Sequence, residues 1–347
     1  MGIYKDLLLK NDKAIASWGA GYIGYSTMAH FADQGVRCVG LDTDSTRVEK
    51  INNGDPGIPG LLEWMDLDIH SLTQTGKIRA ALDLHEIGAE NILVHFVCIP
   101  TERDGKPWLK PLAEVVNKLR AIGETSISPP PVIIIESTLT PGTTEQLVIP
   151  SLEQSGLTLG KDILLGVAPR RDWFVDATKS LRELDRVYGA TDIYTSEIVG
   201  DILSIVCDHL HKASSHRTSE MVKSVENAYR HVEITLANQL SLAYPHEDIR
   251  EVLRLVGTKW NIGTFYPGFG TGGYCIPLSS QYVLDGAESP HELTILTDTV
   301  QTDSAINLKI ARSIAARGLK RVGILGLAYK ANLPVHILSP TLPFINE

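Results

Sequence analysis

Six residues near the start limit the fold more than any others. Gly19-Ala20-Gly21-Tyr22-Ile23-Gly24 is a GxGxxG run. It follows a short, mostly apolar stretch, Lys13 to Trp18, and precedes a segment, Tyr25 to Gln34, that reads as a helix ending at Gly35. Apolar residues resume at Val36 to Leu41 and stop at Asp42, eighteen residues after Gly24. Strand, glycine turn, helix and strand in that order make a βαβ unit, and an acid at that interval is placed to bind adenosine ribose hydroxyls. Glycines let a pyrophosphate approach the backbone, and the helix start offers free N–H groups and a positive dipole end. Gly19, Gly21, Tyr22, Ile23, Gly24 and Asp42 are therefore candidate cofactor-binding residues. A carboxylate at position 42 repels a 2′-phosphate, which favours NAD over NADP.

The pattern continues. Strand-like runs recur at Ile92 to Ile99, Val132 to Glu136 and Leu164 to Ala168, with a helical pattern at Pro111 to Ile122 between the first two. Such alternation predicts an α/β fold with a doubly wound parallel sheet, whose ligands lie beyond the carboxyl ends of the strands. That rule draws attention to Cys98-Ile99-Pro100-Thr101 and Glu136-Ser137-Thr138. The Thr-Pro-Gly-Thr-Thr-Glu run that follows predicts a helix capped near Thr143 or Thr144. At 347 residues the chain exceeds what one core serves, so two or more domains are expected. Its net charge of -9 leaves no basic footprint for nucleic acid, and an anionic substrate needs a local cationic cluster. Cys38, Cys98, Cys207 and Cys275 lack CxxC spacing, which fits a reduced cytoplasmic chain without a disulfide framework or zinc site. No apolar run is long enough for a signal peptide or a membrane span. His209, His211 and His216 have no companion ligands and read as loop histidines rather than a metal site.

Two further stretches carry chemistry. Gly268-Phe269-Gly270-Thr271-Gly272-Gly273-Tyr274-Cys275-Ile276-Pro277 brings four glycines to a single thiol before a proline. Isolated cysteines are usually buried. Here the glycines give a substrate room and supply backbone N–H groups beside a nucleophile, as a covalent step requires. Thr218 to Tyr244 is the longest helical pattern. Met221, Val225, Ala228, Val232, Leu236 and Leu240 mark its expected buried face, and Lys223, Asn227 and Arg230 line a neighbouring one.

From about Ala14 to Pro340 these motifs resemble the UDP-glucose/GDP-mannose dehydrogenases in order and spacing. The carriers are Gly19–Gly24, Asp42, Ile51-Asn52-Asn53-Gly54, Cys98–Thr101, Glu136–Thr138, Pro141–Thr144, the Glu220–Arg230 helix and the Gly268–Pro277 loop. The form Gly-Gly-x-Cys-Ile-Pro is closest to the UDP-N-acetylhexosamine branch. The resemblance implies an N-terminal Rossmann-like domain (1–205), a central helical domain that mediates homodimerisation (206–315) and the start or remnant of a second Rossmann-like domain (316–347), opening with a strand at Val322 to Leu327. It implies that Cys275 attacks an aldehyde, that Lys223 and Asn227 stabilise oxyanions, and that Thr138 belongs to the catalytic set. Thr101 and Thr138 would touch NAD; Arg230, Tyr266, Gly270, Gly272, Gly273 and Lys330 would touch a nucleotide-sugar or other anionic substrate.

Two departures matter. The family carries a water-activating glutamate where this chain has Arg170, and an aspartate where it has Ser279. Arg170 and Arg171 either clamp a phosphate or carboxylate or pair with Asp172 or Asp176. The leading expectation is NAD-dependent oxidation of a nucleotide-sugar primary alcohol toward the uronic acid through a Cys275 thioester, with hydrolysis in question. The alternatives are a two-electron hydroxyacid-type dehydrogenase, with one NADH per substrate, and a catalytically silent NAD-binding paralogue.

Overall fold

The computed structural model describes residues 2–58, 60–86, 91–124, 128–154, 156–172, 180–328, 336 and 338–346. The chain divides into two compact units, one formed by Met1–Arg103 with Pro107–Lys223 and the other by Asp104–Lys106 with Ser224–Glu347.

The first unit is built on an eight-stranded sheet. Its strands are β1 (Ala14–Trp18), β2 (Cys38–Leu41), β3 (Ile78–Ala81), β4 (Ile92–Val97), β5 (Val132–Ile135), β6 (Leu164–Val167), β7 (Arg186–Ala190) and β8 (Leu210–Lys212). Their spatial order is β8-β7-β6-β5-β4-β1-β2-β3. All neighbours from β6 to β3 run parallel; β7 is antiparallel to β6 and parallel to β8. Parallel central strands are covered on both faces, and β1, β4, β5 and β6 are buried at every residue. Alternate side chains feed two cores. Ile15, Val94, Phe96 and Ile134 pack with α1 (Tyr22–Asp33), through Tyr25, Met28 and Phe31. Ala16, Trp18, Val97, Ile133 and Ile135 pack with α2 (Lys110–Gly123), through Leu112, Val116 and Leu119. Each such large side chain, fully buried, contributes about 1.5–3 kcal/mol. A third helix, α3 (Ile193–Leu203), adds Val199 and Ile202 to the first core. Trp18 pairs with Leu41 and Val97, and Val97 with Ile135, so the ends of β1, β2, β4 and β5 open toward one edge.

The long helix α4 (His216–Ala243) runs from the first unit into the second, followed by α5 (Ile249–Val256), α6 (Ile276–Asp285) and α7 (Thr294–Ala316). Its buried face corrects the expectation. Met221 and Leu236 are exposed, and Val225, Val232 and Leu240 are half-buried; of the expected stripe only Ala228 is buried. The covered stripe is polar instead: Glu220, Ser224, Asn227, His231, Thr235 and Asn238. Periodicity reports that a helix has two faces, but hydrogen-bond partners elsewhere in the chain decide which is covered. Residues 322–327 form no strand either, and Leu325 is fully exposed. A strand needs a neighbour for its backbone groups, and none among the described residues pairs with it. No helix among the described residues is long and apolar enough to cross a membrane.

Candidate active site

The glycine turn lies at the carboxyl end of β1, and Gly21 immediately precedes α1. Gly19 has φ +90, and a Cβ there would lie 2.5 Å from the Cys98 carbonyl oxygen. A Cβ on Gly24 would lie 1.9 Å from the Gly19 carbonyl oxygen. These two glycines are required by the protein itself. Gly21 differs: its Cβ would meet nothing nearer than Arg47 Nη1 at 3.6 Å, so its bare face is not filled by the chain. Tyr22 and Ile23 begin the helix, whose first-turn N–H groups lack helical partners. Asp42 follows β2 directly. Its Oδ2 accepts from the Ala20 N–H at 2.9 Å and its Oδ1 from Asp44 N–H at 3.0 Å, while Arg47 Nη1 lies 3.4 Å away. An open Gly21, a helix start and a carboxylate tied to the same turn fit the pyrophosphate and ribose of NAD.

Beyond β4 and β5 the loops are tied together. Ser137 Oγ accepts from Ile99 N–H at 2.9 Å and donates to Ile99 O at 2.8 Å, and Thr101 Oγ1 donates to Thr138 O at 2.5 Å. Thr101 is buried and Thr138 half-buried.

Beneath them lies a charge cluster that the sequence did not reveal. Glu136, 2% exposed, takes an ion pair from Arg186, a hydrogen bond from Thr27 Oγ1 at 2.6 Å and one from Cys98 Sγ at 3.2 Å. Burial and the Glu136 charge push the Cys98 thiol pKa well up. Arg170, 4% exposed, belongs to this cluster. Its Nε donates to Asp172 at 2.7 Å and Nη2 to Ser26 Oγ at 2.8 Å; Nη1 donates to Thr27 Oγ1 and lies 3.8 Å from Glu136. The substrate-clamp reading of Arg170 is thereby replaced: its guanidinium is engaged inside the Rossmann unit. Arg171 is half-buried and donates to Asp185 O at 3.2 Å. His211 meets Asp185 at 2.5 Å and His216 meets Glu145 at 3.2 Å, so these two histidines pair with acids. Among the described residues no metal-ligating cluster exists.

Glu220 has a role that the motif alone did not disclose. One turn before Lys223 on α4, it accepts from Gly142 N–H at 2.7 Å and from Thr144 N–H and Oγ1 at 3.1 and 2.8 Å. The turn starting at Thr144 is therefore capped by this distant carboxylate; the Thr143 side chain makes no cap and donates to Thr140 O instead. Burial pushes the Glu220 pKa up, against these hydrogen bonds. Lys223 is half-buried.

In the second unit the thiol stands at the head of α6. Cys275 is the N-cap residue, with Pro277 in the first turn, and of the four free cysteines it alone is exposed. Asn227 Nδ2 reaches Cys275 O at 3.4 Å and donates to Ser279 Oγ at 2.9 Å. Ser279, at the position of the family aspartate, is 2% exposed and engaged by that amide. The loop before the thiol is held by α4 and α7. Gly268 N–H donates to Asn238 Oδ1 at 2.7 Å, and Gly270, at φ +106, could carry no Cβ, which would lie 2.7 Å from Ile306. Gly273 is also left-handed, at φ +76, and buried; Gly272 is half-buried. Tyr266 is 44% exposed beneath the Arg250 guanidinium, 5.7 Å from its ring centre, and Arg230 is half-buried. Lys330 lies outside the described residues.

Comparison with known proteins agrees with this geometry. The NAD binding domain of the UDP-glucose/GDP-mannose dehydrogenase family matches residues 13–206, and the central domain of the same family matches residues 217–306. Protein CapL of Staphylococcus aureus is 30% identical over 342 residues, covering 93% of this chain and 76% of its own length. The UDP-N-acetyl-D-glucosamine 6-dehydrogenase of Pseudomonas aeruginosa is 29% identical over 340 residues, covering 93% and 77%. The structure of UDP-D-ManNAc dehydrogenase from Pyrococcus horikoshii matches with a TM-score of 0.83 at 25% identity, covering 96% of this chain and 80% of that one. The two family matches together take in most of the sequence, so the chain belongs to the UDP-glucose/GDP-mannose dehydrogenase family and is an NAD-dependent oxidoreductase acting on CH–OH.

Proposed function

We propose that this chain oxidises the primary alcohol of a UDP-sugar, of the N-acetylhexosamine type, toward the uronic acid through a covalent intermediate on Cys275. The substrate class follows from similarity to proteins named UDP-N-acetyl-D-glucosamine 6-dehydrogenase and UDP-N-acetyl-D-mannosamine dehydrogenase. The observation that carries the thiol step is the exposed Cys275 at the end of a glycine loop, its main chain held by Asn227.

Bound NAD⁺ supplies the hydride acceptor. Gly21 and the first turn of α1 would hold the pyrophosphate, and Asp42 would hold the ribose hydroxyls. As the alcohol carbon loses hydride, its hydroxyl proton passes to water or to Lys223. Cys275 Sγ then bonds to the aldehyde carbon, giving a thiohemiacetal whose oxyanion the Lys223 charge stabilises. Loss of a second hydride, which a second NAD⁺ would accept once the first NADH has left, leaves a thioester. Water cleaves its C–S bond, releasing the carboxylate and returning the thiol.

The last step is the slow one in this reading. Arg170 is turned into a buried cluster and Ser279 carries no carboxylate, so neither activates water. Acylated Cys275 accumulates during turnover. The test is NADH per UDP-sugar together with mass spectrometry of quenched enzyme. Wild type yields two NADH and a Cys275 adduct; Cys275→Ser yields aldehyde and no acid. Equal acid yields from the two enzymes would refute the covalent step.

A second copy of the chain is the occupant we assign to the exposed apolar stripe of α4. Met221, Tyr229, Leu236 and Tyr244 recur along one side of α4 and its C-terminal end and are 40%, 72%, 54% and 56% exposed. The four unbridged cysteines fit a reduced, cytoplasmic setting.

A further inference from the structure

The buried polar stripe of α4 does more than hold Asn227. His231, one turn further on, is 1% exposed. A carboxylate can only accept, so its Nε2–H is directed at Asp303 Oδ2, 3.3 Å away on α7, and its Nδ1 accepts from Ser280 Oγ at 2.8 Å on α6. Asp303 in turn takes the Thr271 N–H at 3.0 and 3.2 Å through its two oxygens and the Thr271 hydroxyl at 2.5 Å. Thr271 Oγ1 also lies 3.5 Å from His231 Nε2. Helices α4 and α7 and the middle of the glycine loop therefore meet at one carboxylate, and α6 joins them through Ser280 on His231. Burial opposes ionisation of Asp303, yet the hydrogen bonds from His231 and Thr271 hold its pKa below the ordinary carboxylate range.

Hydroxyl, imidazole and carboxylate in sequence are also the parts of a hydrolytic triad. Ser280 is fully buried, so no substrate reaches it and the arrangement works as a fastening. What it fastens is specific. The loop is held at its start by Asn238 on Gly268, at its middle by Asp303 on Thr271, and at its end by Asn227 on the Cys275 carbonyl. Asn227, His231 and Asn238 are spaced four and seven apart, which places them on one face of α4. The absence of a Cβ on Gly270 is what lets the loop come down onto Asp303, since a Cβ would lie 3.2 Å from Asp303 Oδ1 and 2.7 Å from Ile306 Cγ2.

We propose that His231, Asp303 and Thr271 are positioning residues: they lock the glycine loop to α4 and α7 and so fix where the Cys275 sulfur stands. The proposal rests on the thiol reading above. Hydrogen bonds to a single buried carboxylate limit the loop to one arrangement, and a nucleophile displaced by a fraction of an ångström loses rate at the step in which its bond forms.

The test uses full-length enzyme with four substitutions: Thr271→Val, which keeps the shape and removes the hydroxyl; Thr271→Ser, which restores it; Asp303→Asn; and Cys275→Ala. Single-turnover kinetics resolve the first and second NADH. Thr271→Val and Asp303→Asn are expected to slow the second NADH by about tenfold or more, with the first NADH and KM within about twofold of wild type, and Thr271→Ser to recover most of the loss. The rate of Cys275 alkylation by iodoacetamide shifts in the same two variants and not in Thr271→Ser. If Thr271→Val makes the second NADH at the wild-type rate while Cys275→Ala makes none, the fastening has no positioning role. A loss in both steps together with a lowered melting temperature, not recovered by serine, overturns it as well. A second NADH that persists in Cys275→Ala overturns the thiol reading instead.

Discussion

Arg170 shows how far one side chain's meaning depends on where it is buried. Beside Arg171 and ahead of Trp173 it reads as part of an anion clamp. In the fold it is 4% exposed and shares Glu136 with Arg186, while Asp172 offsets its charge. Removing one member of a buried ion cluster strands the others, which typically costs about 3 to 5 kcal/mol. Arg170→Met should therefore lower stability by that order in urea unfolding, with the KM for the proposed UDP-sugar unchanged in the folded fraction. A stable variant with a raised KM would restore the clamp. Gly19 and Gly24 are the opposite case. The sequence places both beside a bound pyrophosphate; in the fold each is crowded by the chain's own backbone carbonyls, which admit no other residue.

At the scale of elements, α4 is where expectation and structure diverge most. Periodicity predicts its apolar stripe as the covered face; the covered face is the line from Glu220 to Asn238. Both patterns are present in the sequence, and each satisfies the helical period. The polar line is covered because four of its side chains find partners at fixed heights: Gly142 and Thr144 for Glu220, Ser279 for Asn227, Ser280 for His231, Gly268 for Asn238. The apolar line stays exposed, and it is the face we propose a second copy covers. Leu236→Glu, at the middle of that line, should convert the proposed dimer to monomer in sedimentation equilibrium, since a charge in an apolar interface core is unpaired. An unchanged mass would remove α4 from the interface.

For the whole molecule, pH tests the Rossmann core. His95 is buried, His30 is half-buried, and both rings are neutral. Burial holds His30 down to about 4, assisted by the Arg170 charge, although its ring nitrogen meets Ser26 O at 2.7 Å. Burial alone holds His95 down to about 3, and its Nδ1 accepts from Trp18 Nε1–H at 3.3 Å. Below the unfolded value of about 6.5 the unfolded chain takes up protons that the folded chain excludes. Stability is therefore complete above pH 6.5 and falls as pH drops toward 4, by about 3 kcal/mol for each histidine. Urea unfolding at pH 7, 5.5 and 4.5 should show this decline, and His95→Gln should flatten it by about half. A midpoint independent of pH over that range would show that neither histidine is excluded from water as described.

The sequence by itself determined the βαβ start, the acid after β2, the long helix and the thiol loop. Each is set by local rules: glycine where backbone crowds backbone, a period of two or three to four, a cap or a turn. It missed β3, β7 and β8, short strands that exist because a neighbouring edge offers partners. Residues 322–327 carry a strand-like composition and form none, since no edge among the described residues pairs with them. Only the tertiary structure decided the burial of Arg170, the grip of Glu220 on the turn at Thr144 and the meeting of His231, Thr271 and Asp303. Those depend on residues far apart in the chain that share a hydrogen bond only after packing has removed water from between them.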